Sequence, residues 1–241
     1  MKISVYHTPA QVPAHVPIPE CAIAVDVLRA TTSIATALAA GASAIEVFAD
    51  LEALEQASAK YPPEMVLKAA ERGGSKVSGY DLGNSPFEYS AEVVKGKRIF
   101  MSTTNGTKAL YRVQAVPYVV ACALVNLGSV VEFLVDSHPA SVWIVCSGWE
   151  GNFALEDTVC AGAVIAHLEA KLALTWGNDE AIAAVALYRQ WHNKLEELLH
   201  HASHGQRLIR LGAVADLSYC ATVNSLQVLP QQKQPGVLTA D

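Results

Sequence analysis

The 241-residue sequence has no apolar run approaching the ~20 residues that cross a bilayer, because Glu, Asp, Lys or Arg interrupts each one. A membrane-spanning segment is therefore not expected. It also has no basic excess. With 17 Lys and Arg against 23 Asp and Glu, the formal charge is −6, which argues against a nucleic-acid partner. Its five cysteines, Cys21, Cys122, Cys146, Cys160 and Cys220, are scattered, odd in number and lack C-x-x-C spacing. Reduced, buried thiols are expected rather than disulfides or a zinc site. The opening Met1 to Tyr6 lacks the basic-then-apolar layout of a signal peptide, so the cytoplasm is the expected compartment.

Several catalytic signatures are missing as well. No G-x-x-x-x-G-K-[ST] loop occurs, and the D-x-D-x-T pattern of aspartyl-phosphate enzymes fails because Leu28 occupies the second Asp position. A thiol phosphatase needs C-x₅-R, yet Asn152 stands six residues after Cys146.

What is present is a generous interior. Hydrophobic residues make up 51 % of the chain, charged residues 17 %, and mean hydropathy is +0.25, a globular composition. Strand-like runs at Ile3 to Tyr6, Ala22 to Val25, Ile45 to Phe48, Ile99 to Met101, Tyr118 to Ala121 and Val142 to Cys146 alternate with helical patterns. The helical patterns run over Ser33 to Ala40, Leu51 to Lys60, Thr107 to Val113, Val130 to Ser137, Leu155 to Leu172 and Asp179 to His201. This alternation predicts an α/β fold, a three-layer α/β/α arrangement with mixed, mostly parallel sheet.

Laying Ala22 to Ala42 on Trp143 to Ala163, at an offset of 121, matches four of 21 positions. The order of features also matches: apolar run, polar turn at Asp26 or Ser147, then helix. Ala40-Gly41-Ala42 falls on Ala161-Gly162-Ala163, a small-residue patch suited to close packing on a sheet. Two similar halves are expected, 1–125 and 126–241, with a site between them; a general likeness among βα units is the alternative.

The first chemical motif is Asp26 with Arg29, Thr31 and Thr32, where strand gives way to helix. At a strand's carboxyl end Asp26 can ligate Mg²⁺ while Arg29 offers a fork to phosphate. Alternatively the threonines cap a helix and Asp26 pairs with Arg29. The second is Ser102-Thr103-Thr104-Asn105-Gly106-Thr107, hydroxyls and a Gly before a helix, which suits an anion cradle or an ordinary capped turn. In Glu71-Arg72-Gly73-Gly74 the acid can ligate metal and the Arg clamp an anion, or the segment is a surface turn. Gly83-Asn84-Ser85-Pro86 reads as a turn feeding a helix. Cys146-Ser147-Gly148 precedes Glu156 and Asp157, which either favour a helix dipole or complete a Mg²⁺ site facing Asp26. His200 and His204 have the spacing of a metal pair on one helix, but the C-terminal dipole explains histidines there without metal.

Taken together, D-V-L-R-A-T-T, E-R-G-G, D-L-G-N-S-P, S-T-T-N-G-T, C-S-G-W-E-G-N-F-A-L-E-D-T-V-C-A-G and H-A-S-H-G-Q-R-L resemble the 2-phosphosulfolactate phosphatase family over nearly the whole chain. The resemblance implies Mg²⁺-dependent hydrolysis of 2-phospho-3-sulfolactate, a step toward coenzyme M, on an α/β fold of duplicated halves. It places Asp26, Arg29, Thr31, Glu71, Arg72, Asn84, Ser85, Ser102, Thr103, Thr104, Asn105, Gly106, Glu156 and Asp157 at motif positions. Ala70, where the family tends to carry Gly, and the bulky Trp149 are departures.

The expected chemistry is phosphate-ester hydrolysis of a small anionic substrate. Asp26, Glu71, Glu156 and Asp157 hold the metal, and Asp26, Arg29, Arg72 and Ser102 act in catalysis. Thr31, Thr32, Asn84, Ser85, Thr103, Thr104, Asn105, Gly106, Ser147 and Gly148 bind substrate. Metal-activated water is the preferred nucleophile, with Ser102 or a neighbouring Thr the alternative. A non-catalytic sensor of a small phosphorylated or sulfonated acid is the competing class, and a homodimer is open to the chain.

Overall fold

The structure is a computed structural model that describes residues 1–14 and 17–240. Each of the six expected strands forms, within a residue or two of its expected ends. They are β1 (Lys2–Tyr6), β2 (Cys21–Val25), β3 (Ala44–Val47), β6 (Arg98–Ser102), β7 (Tyr118–Cys122) and β8 (Ser141–Cys146). Not anticipated from the sequence were β4 (Val66–Arg72), β5 (Ser75–Lys76), β9 (Thr175–Trp176) and the hairpin of β10 (Pro230–Gln234) and β11 (Val237–Ala240). β4 was hidden because only its last residues are well buried, so the apolar run is short. The segment Pro230–Gln234 is rich in Gln and pairs through its backbone, which leaves no hydrophobic trace.

Among the described residues the strands form one sheet, ordered β5-β4-β6-β3-β11-β10-β7-β2-β8-β1-β9. β4, β6 and β3 are mutually parallel, as are β7, β2, β8, β1 and β9. The β10–β11 hairpin joins the two groups by antiparallel pairings. With helices on both sides, the architecture is the mostly parallel, three-layer α/β/α fold expected. Strands from either side of residue 125 interleave within it, since β1 and β2 flank β8 and the hairpin of the last residues separates β3 from β7.

The offset of 121 has a direct structural counterpart. β2 lies beside β8 in parallel register with Ala22 opposite Trp143 and Val25 opposite Cys146. The helices that follow, α1 (Ala30–Ala39) and α6 (Leu155–Glu169), diverge to opposite faces. Ile34 and Leu38 of α1 pack with Ala22 and Ala24, whereas Val159 and Ile165 of α6 pack with Ile23 and Val25. Neighbouring parallel strands whose crossovers leave in opposite directions form a crevice at their carboxyl ends, the place where open α/β sheets bind ligands.

Around this centre stand α2 (Leu51–Ser58), α3 (Ala91–Val94), α4 (Gly106–Val113), α5 (Leu127–Ser137) and α7 (Asp179–Trp191), followed by α8 (Leu195–His201), α9 (Ser203–Arg210) and α10 (Val214–Cys220). The single helix expected over Asp179 to His201 is broken into α7 and α8, and Ala202 in extended backbone ends α8. His200 and His204 therefore sit on different helices, not one turn apart. The shared small-residue patch also divides. Gly41, at φ +94°, terminates α1 in left-handed backbone, and Gly162 faces α7 rather than the sheet.

A methyl group on Gly162 would lie 2.0 Å from the Ala184 carbonyl oxygen, an atom that moves only with the α7 backbone. Gly162→Ala is expected to destabilise the fold by about 1–3 kcal/mol in urea denaturation, the usual scale of core overpacking. An unchanged midpoint would show that α6 and α7 do not approach so closely.

Candidate active site

Asp26 follows β2 directly, and its local bonds explain why the chain turns there. Its Oδ1 accepts the Ala30 N–H at 3.1 Å, and the Thr31 hydroxyl receives the Asp26 N–H at 2.9 Å and donates to the Asp26 carbonyl at 2.8 Å. The Thr32 hydroxyl donates to the Val27 carbonyl. Thr31 and Thr32 are thus buried and bonded into the turn that starts α1, as the capping alternative has it.

Two helix starts meet at this carboxylate, and a third is tied to the turn that follows it. α1 begins with the Ala30 N–H on Asp26. The first residue of α4, Gly106, is so close that a methyl there would lie 2.6 Å from Asp26 Oδ2 and 2.4 Å from Ala30 Cβ. From the first turn of α6, Asp157 accepts the Val27 N–H at 2.9 Å and the Gly148 N–H at 3.1 Å. Helix N-termini carry partial positive charge, so their convergence favours anions, the carboxylates themselves and any phosphate that joins them.

The acidic residues are mutually felt. Burial pushes the Asp26 carboxyl up to about 6; His204 and the Ala30 N–H pull it down, while Glu71 and Glu156 raise it further. Burial, reinforced by Asp26 and Glu156, holds Asp157 well above the ordinary carboxylate range despite its two backbone donors. The four carboxylates expected to share an ion do lie within one electrostatic neighbourhood.

They do not form a cage. Among the described residues no group of three or more His, Cys, Asp or Glu side chains is disposed to enclose a metal. Glu71 accepts from Gly74 N at 2.6 Å, Thr104 N at 3.1 Å and the Thr104 hydroxyl at 3.1 Å, and Asp157 spends both oxygens on backbone N–H groups. Asp26 engages Oδ1 alone, and Glu156 Oε2 is buried without a partner. Such a donor set fits Mg²⁺, which takes one or two carboxylates and completes its shell with water and phosphate oxygens.

Among the described residues, four buried side-chain polar atoms lack a hydrogen-bond partner: Arg29 Nε, Asn84 Oδ1, Ser147 Oγ and Glu156 Oε2. All four belong to residues expected at the site. Buried polar groups are ordinarily paired, so a cluster of orphans marks a place completed by a ligand.

The remaining expected residues divide by what they touch. Exposed Arg72 donates to the Glu71 and Ser102 carbonyls and, at 2.9 Å, to the Ser102 hydroxyl, so Ser102 is buried and occupied. Thr103 caps the first turn of α4 by accepting the Thr107 N–H. Asn105 opens α4 with no capping bond from its side chain. Ser85 donates to Asp216, and the loop of Asn84 is held by the Ser33 hydroxyl.

Sequence reasoning missed three groups here. His204 lies 3.3 Å from Glu156 and stacks on Trp149 with ring centroids 3.9 Å apart. Its motif, H-A-S-H-G-Q-R-L, was visible, but a helical reading of the histidines pointed to the wrong neighbours. Arg207, in the same motif, donates to the Gly73 carbonyl at 3.1 Å. Asp216 forms a buried pair with Arg29, and nothing in A-V-A-D-L-S signals it.

Residues 6–235 match the family model described as 2-phosphosulpholactate phosphatase. A protein of Thermosynechococcus vestitus is 58 % identical over 243 residues, covering 99 % of both chains. One from Nostoc punctiforme is 55 % identical over 242 residues, covering 99 % of this chain and 98 % of its own. One from Synechocystis sp. is 53 % identical over 241 residues, covering both chains fully. Each bears the name "Probable 2-phosphosulfolactate phosphatase".

A carboxyl whose folded pKa is raised withdraws stability as pH climbs from its unfolded value, 3.8, to about 6. Asp26→Asn is therefore expected to raise the melting temperature of the metal-free protein at about pH 7.5, with the gain vanishing near pH 4. Thermal scans at both pH values check this, and an equal shift at the two would refute it.

Proposed function

The chain belongs to the 2-phosphosulfolactate phosphatase family, and from that membership we propose that it hydrolyses 2-phospho-3-sulfolactate to 3-sulfolactate and inorganic phosphate, with Mg²⁺ as cofactor. The observation that carries this reading is the set of four unpartnered buried polar atoms, three of them on the segments that follow β2 and β8 and the fourth on Asn84. They include donors for an anion and a carboxylate oxygen for a cation, the two halves of a metal–phosphate complex.

Asp26 and Glu156 are the residues that would hold the ion, since each keeps an oxygen uncommitted. Mg²⁺ held there would supply Lewis-acid neutralisation of phosphate charge and make a water easier to deprotonate. Phosphoryl transfer passes through a loose, anionic transition state, so positioned donors supply most of the protein's share. Arg29 Nε and Ser147 Oγ are buried donors awaiting an acceptor, and Arg72 faces only neutral oxygens in the bonds it makes. The N-termini of α1 and α4 add their partial charge. His204, with Nδ1 3.3 Å from Glu156 Oε1 and its ring stacked on Trp149, is placed to orient that carboxylate.

A covalent route has one specific observation in its favour, and it concerns Thr104 rather than Ser102. The Thr104 hydroxyl already donates to Glu71 Oε1 at 3.1 Å, the pairing of a nucleophile with a base. Ser102 Oγ has no carboxylate partner and is fully buried.

Wild-type protein is expected to release phosphate from 2-phospho-3-sulfolactate only with Mg²⁺, to lose turnover in chelator, and to fall about 100-fold or more in kcat on Glu156→Gln. Tight binding of phosphoesters without turnover would instead make the protein a sensor. Turnover in ¹⁸O-water, with rapid quenching and mass spectrometry of the Thr104 peptide, is expected to show label in phosphate and no phosphothreonine. Trapped phosphothreonine would establish the covalent route.

A further inference from the structure

Asp216, on α10, lies in none of the motifs and far in sequence from those of Arg29 and Ser85, yet it touches both at once. Its Oδ2 accepts from Arg29 Nη1 at 2.5 Å and its Oδ1 accepts from the Ser85 hydroxyl at 2.7 Å. The other terminal nitrogen of Arg29 donates to the Gly74 carbonyl at 2.7 Å. Both ends of the guanidinium are thus held by the protein, and both partners of the ion pair are more than nine-tenths buried. With that plane clamped, Nε remains as a buried donor with no acceptor.

A pair kept only for stability would have little reason to leave this donor empty, since well-packed apolar residues serve as well in such places. The orphaned Asn84 Oδ1 belongs to the residue next to Ser85, so the same carboxylate steadies the loop that carries a second unfilled group. We propose that Asp216 is a positioning residue: it sets the Arg29 guanidinium so that Nε–H donates to a phosphate oxygen of the ester. The inference rests on the phosphatase reading above. Asp216 commits its oxygens to Arg29 and Ser85, and it acts on the phosphate through Arg29.

The test uses the full chain with Mg²⁺, inorganic phosphate as the binding probe and 2-phospho-3-sulfolactate as substrate. Asp216→Asn is expected to weaken phosphate binding and raise KM by about tenfold, the scale of one charge-assisted hydrogen bond. In an Arg29→Met background, where the pair is gone, adding Asp216→Asn is expected to change neither value. Unchanged phosphate affinity in Asp216→Asn, or the same loss with and without Arg29, would overturn the proposal. Should Asp216→Asn fail to fold, the wild type still decides. Its Arg29 Nε–H resonance is expected to move downfield and exchange more slowly on adding phosphate, and an unmoved resonance would sink the idea. Because phosphate binding is read apart from turnover, a wild type that binds phosphate at Arg29 but hydrolyses nothing would refute the enzyme reading and leave this one standing.

Discussion

The packing of two helix N-termini against one buried carboxylate, Asp26, with a third helix start tied to the same turn, is the constraint on which the rest of the structure depends. α1 starts by donating its Ala30 N–H to Asp26, and α4 reaches it only because Gly106 has no side chain. α6 is tied to the same turn through Asp157 and the Val27 N–H. A buried carboxylate is costly unless its charge is answered. Here the answer comes from helix dipoles and backbone donors, which brings three loops to one point and leaves a field that favours a further anion.

The charge balance is deliberately incomplete. Burial raises Asp26 to about 6 and pushes Asp157 up as well, so the carboxylates repel each other in the folded protein. Arg29, the deeply buried cation nearby, is neutralised by Asp216 and cannot relieve them. Active sites commonly hold such tension, because groups arranged for a missing ligand stabilise the complex at the expense of the free fold. The C-terminal helices α9 and α10 make the tension possible. His204, Arg207 and Asp216 form one wall, and the Gly73-Gly74 turn docks on that wall through carbonyl bonds to Arg29 and Arg207.

Much of this was legible in the chain itself. Apolar runs and small-residue helix patterns located β2, β8, α1 and α6, because burial of a strand on both faces leaves an unmistakable hydrophobic run. Asp26, Thr104 and Ser147 stood out as candidates because short motifs place them just beyond strand ends, and Glu71, Arg72, Glu156 and Asp157 because charged groups stand beside glycines or at a helix start. What stayed ambiguous in the sequence has physical causes. Thr31 and Thr32 have the composition of an anion cradle and of a helix cap alike, and only the observed hydroxyl bonds separate the two. His200 and His204 kept helical spacing on paper, but the chain turns at Ala202 and places them on different helices.

The sequence by itself determined the fold class, the strand and helix order of the central units, the family and the motifs from which candidate site residues were drawn. All of these are local or repetitive, so they survive in a one-dimensional record. Tertiary structure decided which oxygens and donors remain free. That depends on pairings across the chain, Arg29 with Asp216, Glu71 with Thr104, Glu156 with His204, formed by groups 33 to 187 residues apart. Hydrogen-bond capacity is used up by whichever partner the fold brings near, and no motif records that partner in advance.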